Sequence, residues 1–183
     1  MLVLLVGPSG AGKDVLLEAA RARLAGDPAF RFVTAVATRA CKAGERHRVV
    51  DEAEFGRLRA SGAFALTWRC RGAEYGLAAD IVDDLARGRL VVAAATRAVA
   101  AEAAARFPVH VIEVTAPPDV LARRLAARGQ DDAVAAAGRM SRAGSLNLPP
   151  GRDTIVNDGS IEHGQRKLLA VLARLSARKL SPG

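Results

Sequence analysis

The fold of this chain is decided by one stretch near its start, Gly7-Pro8-Ser9-Gly10-Ala11-Gly12-Lys13. The apolar run from Leu2 to Val6 comes before it, and an alanine-rich segment from Lys13 to about residue 24 comes after it. This order places a glycine-rich turn between a buried strand and a helix. The glycines let backbone N–H groups point inward at phosphates, and the helix adds the positive end of its dipole. The stretch therefore predicts a loop that binds the phosphates of a nucleotide, with the lysine reaching the outer ones.

The residue after the lysine departs from the usual pattern. Most loops of this kind place Ser or Thr there, whose hydroxyl binds Mg²⁺, whereas this chain has Asp14. The strand from Leu90 to Ala94, where P-loop kinases often carry an acid, is followed by another alanine. Because a carboxylate is a hard oxygen ligand, we expect Asp14 to be the protein ligand of Mg²⁺. The alternative is an acid that only stabilises the first turn of the helix.

The bulk composition favours anionic partners. The 183 residues include 27 Lys plus Arg against 19 Asp plus Glu, which gives a net charge of +8. Aromatic residues make up only 4%, and they are not interleaved with the basic ones, so we expect no nucleic acid partner. The run from Leu2 to Val6 is too short to cross a membrane. Cys41 and Cys70 form no paired motif, which favours reduced thiols and a cytoplasmic location.

The rhythm of apolar runs and alanine-rich segments is typical of an α/β protein. It predicts a P-loop NTPase fold with a five-stranded, mainly parallel sheet and helices on both faces. The predicted strands are Leu2–Val6, Phe32–Val36, Leu90–Ala94, Val109–Val114 and Ile155–Val156, and a last helix runs from about Ser160 to Arg178. We expect a single kinase domain, 1–183, whose core is formed by 1–36, 88–122 and 143–183.

Two segments interrupt this rhythm. Residues 37–87 hold a helix start at Asp51 and an alternating, strand-like run from Phe64 to Trp68, so we expect a small insertion on the main sheet, to which the resemblance described next assigns binding of the acceptor. Residues 123–142 are rich in arginine and contain two glycines, and we expect them to form a helical lid.

Motifs in both segments resemble those of the guanylate kinase fold, and the resemblance covers nearly the whole chain. After the phosphate loop they occur in the order Thr38-Arg39, Gly44-Glu45-Arg46-His47, Gly72-Ala73-Glu74-Tyr75-Gly76, Arg124-Leu125, Arg128-Gly129-Gln130, Arg139-Met140 and Val156-Asn157-Asp158. The resemblance implies that Arg39 and Tyr75 hold an acceptor phosphate. It also implies ATP contacts from Asn157 and Asp158, near the adenine, and from Arg124 and Arg128. The four lid arginines Arg124, Arg128, Arg139 and Arg142 are expected to neutralise the transferring group.

A narrower resemblance is to the ribose 1,5-bisphosphate phosphokinases of phosphonate degradation. It rests on Gly12-Lys13-Asp14, Ala65-Leu66-Thr67-Trp68, Tyr75-Gly76 and Asn157-Asp158-Gly159-Ser160. It implies transfer of a phosphoryl group from ATP to ribose 1,5-bisphosphate, giving 5-phosphoribosyl 1-diphosphate. Thr96 and Arg97 stand where guanylate kinases carry an acid, and they suit a sugar bisphosphate better than guanine. Glu45 keeps a guanylate kinase open as an alternative, whereas the complete phosphate loop argues against a non-catalytic binding module.

These patterns together predict the site. The expected catalytic residues are Lys13, Arg128, Arg139 and Arg142, and the expected acceptor contacts are Arg39, Glu45, His47, Trp68, Tyr75, Thr96 and Arg97. His47 is as well explained by a solvated loop, and Trp68 by a place in the core. The expected partners are ATP, Mg²⁺ and the sugar bisphosphate, with a homodimer left open.

Overall fold

A five-stranded sheet in which every neighbouring pair of strands is parallel carries the site. The computed structural model describes residues 1–41, 46–127, 148 and 152–180. The strand order is β2-β7-β1-β8-β9, with bounds Phe30–Phe32 (β2), Leu90–Ala94 (β7), Leu2–Val6 (β1), Val109–Thr115 (β8) and Asp153–Val156 (β9). The helices are α1 (Lys13–Arg23), α2 (Glu52–Ala60), α3 (Ile81–Ala86), α4 (Arg97–Arg106), α5 (Pro118–Ala126) and α6 (Ile161–Leu180).

Both faces of this sheet are covered, which explains why its strands are continuous apolar runs. On one face, Val3 and Leu5 of β1 pack with buried residues of α1, α5 and α6. On the other face, Leu2 and Leu4 pack with α4, α3 and the second sheet. The predicted α/β class, with a parallel sheet between helices, is confirmed.

The segment between β2 and β7 builds a second, four-stranded sheet. Its order is β4-β3-β6-β5, with bounds Arg48–Val49 (β4), Val36–Ala37 (β3), Ala73–Ala78 (β6) and Phe64–Cys70 (β5). The sequence predicted only the start of β5 and the helix α2, whose N-cap Asp51 accepts a hydrogen bond from the Glu54 amide at 2.6 Å. Strand β6 was missed because it contains Gly76. A Cβ there would lie 2.5 Å from the Phe64 ring, so the glycine permits a close approach.

The prediction of the second strand was wrong. Strand β2 spans Phe30–Phe32, in register with Leu90–Val92 of β7, and Val36 belongs to the second sheet. The apolar residues from Phe32 to Val36 serve two sheets, and periodicity cannot show where a chain leaves one sheet for another.

Within the described ranges, no helix is long and apolar enough to span a membrane.

A polar cluster ties the edge strand β9 to the rest of the domain. Asp153 lies 2.7 Å from His110 Nε2 of β8 and accepts hydrogen bonds from Arg174 of α6 at 2.6 and 2.5 Å. Burial raises the pKa of the Asp153 carboxyl, but the hydrogen bonds with His110 and Arg174 outweigh burial and hold the pKa below its ordinary value of 3.8. His110 is therefore a structural residue.

We predict that Asp153→Asn lowers the unfolding free energy by about 1 kcal/mol at neutral pH, because it removes a charged acceptor of several hydrogen bonds. The melting temperature should fall by about 2–4 °C. Since the folded-state pKa is depressed, this stability is fully present above pH 3.8 and is lost as the pH falls through the lowered value. The difference in melting temperature between variant and wild type, measured by thermal denaturation, should therefore become smaller in acid. Asp119→Asn, at an exposed i,i+4 pair with Arg123, is the matched control; a gap that does not change with pH would contradict the assignment.

Candidate active site

The phosphate loop turns where β1 ends, and its glycines are required both by conformation and by space. Gly10 and Gly12 have φ values of 82° and 90°, in the left-handed region, and Gly7 has φ of 145°. A Cβ on Gly7 would lie 1.9 Å from the carbonyl oxygen of Val114 on β8, and one on Gly12 would lie 2.5 Å from Asn157 Nδ2. The loop therefore fits against β8 and the segment after β9 only with glycine at these positions.

Asn157 and Arg124 support the loop through its carbonyl groups. The buried Asn157 side chain donates to the Ala11 carbonyl at 2.8 Å, while its backbone N–H donates to Thr115 at 2.7 Å. Arg124 of α5 donates to the carbonyls of Gly10 and Asn157 at 3.3 and 3.1 Å. Asp158 is exposed beside them. The expected contacts of these three residues with ATP stay predictions, because the described contacts of Asn157 and Arg124 are with other groups of the protein.

Lys13 and Asp14 lie at the start of α1, where a phosphate would meet the helix. The Lys13 ammonium donates to the carbonyls of Gly7 and Pro8 at 2.9 and 3.0 Å. The N-cap residue is Gly12, which has no side chain to occupy the first amide groups of the helix. Those amides, the ammonium and the helix dipole together form an anion-binding site.

The predicted acceptor residues of the second sheet come together at one wall. Trp68 of β5 and Tyr75 of β6 are directly opposite in the strand register, and their rings stack at 5.5 Å with an interplanar angle of 9°. Arg39 donates through Nε to the Tyr75 hydroxyl, and its guanidinium carbon lies 5.7 Å from the Tyr75 ring centroid. His47 Nε2 lies 2.8 Å from the Arg39 carbonyl oxygen. We call these four residues, Arg39, His47, Trp68 and Tyr75, the acceptor wall.

Trp68 Nε1 and Thr96 Oγ1 are among the atoms that are buried without a hydrogen-bond partner among the described residues. Thr96 precedes α4 but does not cap it with its side chain. A buried polar group without a partner costs about 1–3 kcal/mol. Both residues line the cavity described next, so a bound polar molecule is a reasonable source of the missing hydrogen bonds.

One cavity of about 580 Å³ joins the phosphate loop to the acceptor wall. Its lining includes Lys13 and six arginines, against two acids, Asp14 and Glu18. Glu18 is paired with Arg46 at 3.2 Å and with Arg21 at 3.8 Å. The remaining four arginines are Arg39, Arg69, Arg71 and Arg97, and two of them have acid partners outside the lining: Arg69 lies 3.6 Å from Glu74 and Arg97 2.6 Å from Glu113. A small cavity with this excess of positive charge suits a ligand with several phosphate charges.

Sequence reasoning missed a buried acid that pairs with Arg97, one of the arginines of the cavity lining. Glu113 of β8 is 6% exposed, accepts a hydrogen bond from Arg97 at 2.6 Å and lies 3.6 Å from Arg152 Nε. The available signal was a carboxylate inside the apolar run from Val109 to Val114. Four predicted site residues lie outside the described residues and stay predictions, namely Glu45, Arg128, Arg139 and Arg142.

Comparison with curated proteins finds relatives over most of the chain. The bifunctional ribose 1,5-bisphosphokinase-thymidine phosphorylase of Cupriavidus necator is 47% identical over 171 residues, which are 91% of this chain but only 28% of that protein. The ribose 1,5-bisphosphate phosphokinase PhnN of Methylobacterium radiotolerans is 43% identical, with 93% of this chain and 96% of that protein covered. The enzyme of the same name from Acidiphilium cryptum is also 43% identical, with 94% of this chain and 92% of that protein covered. No family model matches the chain.

Comparison with solved structures identifies the fold. A guanylate kinase from Anaplasma phagocytophilum superposes with a TM-score of 0.69 at 22% identity, covering 96% of this chain and 86% of that one. A sugar kinase from Janibacter gives a TM-score of 0.52 at 16% identity, with 96% of each chain covered. The predicted guanylate kinase-like fold is therefore confirmed, and these two likenesses bear on the fold alone.

We predict that Gly7→Ala weakens both the fold and ATP binding. The positive φ alone costs a non-glycine residue about 1–3 kcal/mol, and the overlap with the Val114 carbonyl adds to this cost. Thermal denaturation and calorimetric titration with ATP measure the two effects. Gly56→Ala is the matched control, because nothing lies within 4 Å of a Cβ at that helical position and alanine favours a helix. Equal stability and equal ATP affinity for Gly7→Ala and wild type would refute the role given to Gly7.

Proposed function

The chain belongs to the ribose 1,5-bisphosphate phosphokinase family, and from this we propose that it transfers the γ-phosphoryl group of ATP to ribose 1,5-bisphosphate. The products are ADP and 5-phosphoribosyl 1-diphosphate, as expected for an enzyme of phosphonate catabolism. Relatives of that name from Methylobacterium and Acidiphilium match this chain over more than nine tenths of their own length. The chain is accordingly a phosphotransferase with a nucleotide and a small molecule as substrates.

The observation that carries the substrate assignment is the charge of the cavity. Its two acids, Asp14 and Glu18, both lie on α1, whereas the second sheet and its hairpin contribute Arg39, Arg69 and Arg71. A site that reads guanine needs acceptors for the N–H groups of the base, while a sugar bisphosphate needs cations at two phosphates. The lining favours the bisphosphate. The guanylate kinase likeness concerns the fold, and a fold does not determine a substrate.

The reaction needs positioning and charge neutralisation rather than covalent catalysis. The loop amides, the start of α1 and Lys13 are suited to hold the donor phosphates, and Arg39 and Tyr75 to hold the acceptor phosphate that attacks. An oxygen of the 1-phosphate forms the new bond to the γ-phosphorus, and the bond to the bridging oxygen of ADP breaks. A phosphate is largely ionised at neutral pH, so the acceptor requires no strong general base. Arg69 of β5 and Arg71, in the turn after β5, are suited to hold the 5-phosphate.

Asp14 fits the magnesium ion that such a transfer uses. The described residues contain no cluster of three or more His, Cys, Asp or Glu side chains that would hold a metal alone. Mg²⁺ is usually bound by one or two carboxylates together with substrate phosphates and water, and Asp14 offers one carboxylate on the cavity beside Lys13. When bound, the ion would neutralise charge on the phosphates of ATP.

The remaining expectations belong to this proposal. The domain comprises a core, an acceptor-binding insertion at about 37–87 and an arginine-rich lid at about 123–142. The lid supplies Arg128, Arg139 and Arg142 to the transferring group, which limits hydrolysis by water. The protein acts in the cytoplasm, without nucleic acid or membrane partners, and a homodimer stays open.

We predict rapid ADP release with ATP, Mg²⁺ and ribose 1,5-bisphosphate, and at least about a hundredfold lower kcat/KM with GMP, because GMP lacks the second phosphate. A coupled ADP-release assay with the two acceptors side by side measures this. Lys13→Ala should lose turnover without a change in melting temperature, and Lys167→Ala, which alters a half-buried lysine of α6, is its matched control. The reverse preference would mean a guanylate kinase with an unusual loop.

We predict that Asp14→Asn raises the Mg²⁺ concentration needed for half-maximal activity by about tenfold, because an amide oxygen is a weaker ligand than a carboxylate. The measurement is a magnesium titration of initial rate at fixed ATP. The same titration of Asp27→Asn, at a turn after α1, controls for the loss of one negative charge. An unchanged magnesium requirement in the Asp14 variant would show that this residue is not the metal ligand.

A further inference from the structure

Glu113 is a buried acid that the reaction described above does not use. It lies on β8 with 6% of its surface exposed, between the buried Ile112 and Val114. Its two oxygens contact two different arginines: Oε1 accepts from Arg97 at 2.6 Å, and Oε2 lies 3.6 Å from Arg152. A buried carboxylate is costly unless it is paired, and replacement of a buried ion pair by apolar residues often leaves stability unchanged. Stability alone therefore gives little reason for an acid here.

The position of the pair suggests another reason. Arg97 is the first residue of α4, just after β7, while Glu113 lies on β8, and β1 runs between these two strands. Neighbouring strands are about 4.8 Å apart, so the Arg97 side chain reaches across the carboxyl end of β1 to meet Glu113. Glu113 is in register with Val6, the last residue before the phosphate loop. The pair thus crosses the sheet directly beside the start of the loop.

Because its side chain reaches across β1, Arg97 lies between the phosphate loop and the acceptor wall. Arg97 lines the cavity that joins the phosphate loop to the acceptor wall. Glu113 lies on the same face of the sheet as Val111 and Ala93. This face packs against α4 and the second sheet. Arg97 therefore approaches the cavity from the acceptor side of the sheet, at the border with the loop. An arginine has a long side chain with many rotamers, and an anchored guanidinium binds a phosphate at lower entropic cost.

We propose that Glu113 is a positioning residue, whose carboxylate fixes the Arg97 guanidinium at the border between the phosphate loop and the acceptor wall, where Arg97 meets the attacking phosphate of the acceptor. Arg97 stabilises charge there and transfers no proton. Arg152 pairs with the second oxygen of Glu113 and offsets its charge, so that the three groups together keep one net positive charge for the ligand. The identity of the acceptor rests on the proposed function, but the coupling between Glu113 and Arg97 does not.

The test compares Glu113→Gln with Glu102→Gln. The first variant keeps the shape of the side chain and removes the charge that anchors Arg97. The second removes the same charge from an exposed position on α4, the helix that Arg97 begins. We expect Glu113→Gln to raise the KM for ribose 1,5-bisphosphate by about tenfold, with the KM for ATP changed less than twofold. Glu102→Gln should match wild type in both constants.

A double-mutant cycle separates positioning from a general structural effect. If Glu113 acts through Arg97, the Arg97→Ala/Glu113→Gln double variant should be no worse than Arg97→Ala alone. Effects that multiply, or a wild-type KM for the acceptor in a folded Glu113→Gln variant, would overturn the proposal. If thermal denaturation shows that Glu113→Gln does not fold, Glu113→Asp replaces it in the same cycle, because it keeps the charge but withdraws it by one methylene group.

The choice of acceptor keeps the two proposals apart. If wild type turns over GMP instead of the sugar bisphosphate, the proposed function fails, and the same cycle is run with the KM for GMP. If wild type turns over neither, calorimetric titration with ribose 1,5-bisphosphate supplies the four affinities of the cycle. In every case the positioning role is supported if the effects of the Arg97 and Glu113 substitutions on acceptor binding are not additive in free energy, and it is refuted if they are additive.

Discussion

The contact between Gly7 and the Val114 carbonyl is the constraint from which the site is built. A Cβ at Gly7 would lie 1.9 Å from that oxygen, so the chain leaves β1 directly against β8 and turns into the phosphate loop at once. Asn157 then contacts the loop at Ala11, and Arg124 contacts it at Gly10. Because these contacts come from the ends of β8 and β9 and from α5, the shape of the loop depends on correct assembly of the whole parallel sheet.

The same edge of the sheet gathers the charged groups of the site. In a parallel sheet the carboxyl ends of all strands lie at one edge, and ligands bind there. Strand β1 is followed by Lys13 and Asp14, strand β7 by Thr96 and Arg97, and β8 carries Glu113 near its end. The second sheet faces this edge with its stacked Trp68 and Tyr75. A phosphoryl transfer needs little more than such positioned charges.

Fold and specificity are separable in this protein. The backbone superposes on a guanylate kinase at only 22% identity, whereas relatives named ribose 1,5-bisphosphate phosphokinase are 43% identical. In the proposed function, the acceptor is selected by the lining of one cavity, where arginines outnumber acids by six to two among the described residues. Arg69 lies on β5 and Arg71 in the turn between β5 and β6. Both are exposed, and they add positive charge to the lining without being part of the core. Changes of this kind alter a substrate while leaving the sheet unchanged.

The features of this protein that depend on neighbours along the chain can be predicted from its amino-acid sequence. The bounds of β1, the start of α1, the glycines of the loop and most strands of the sheet follow from local periodicity and spacing, since a buried parallel strand needs a continuous apolar run. Three features could be found only in the folded protein: the end of β2 at Phe32, the pairing of Trp68 with Tyr75, and the contact of Arg97 with Glu113 across β1. Those features depend on strand order and register, which bring together residues far apart in the chain, and no local pattern contains that information.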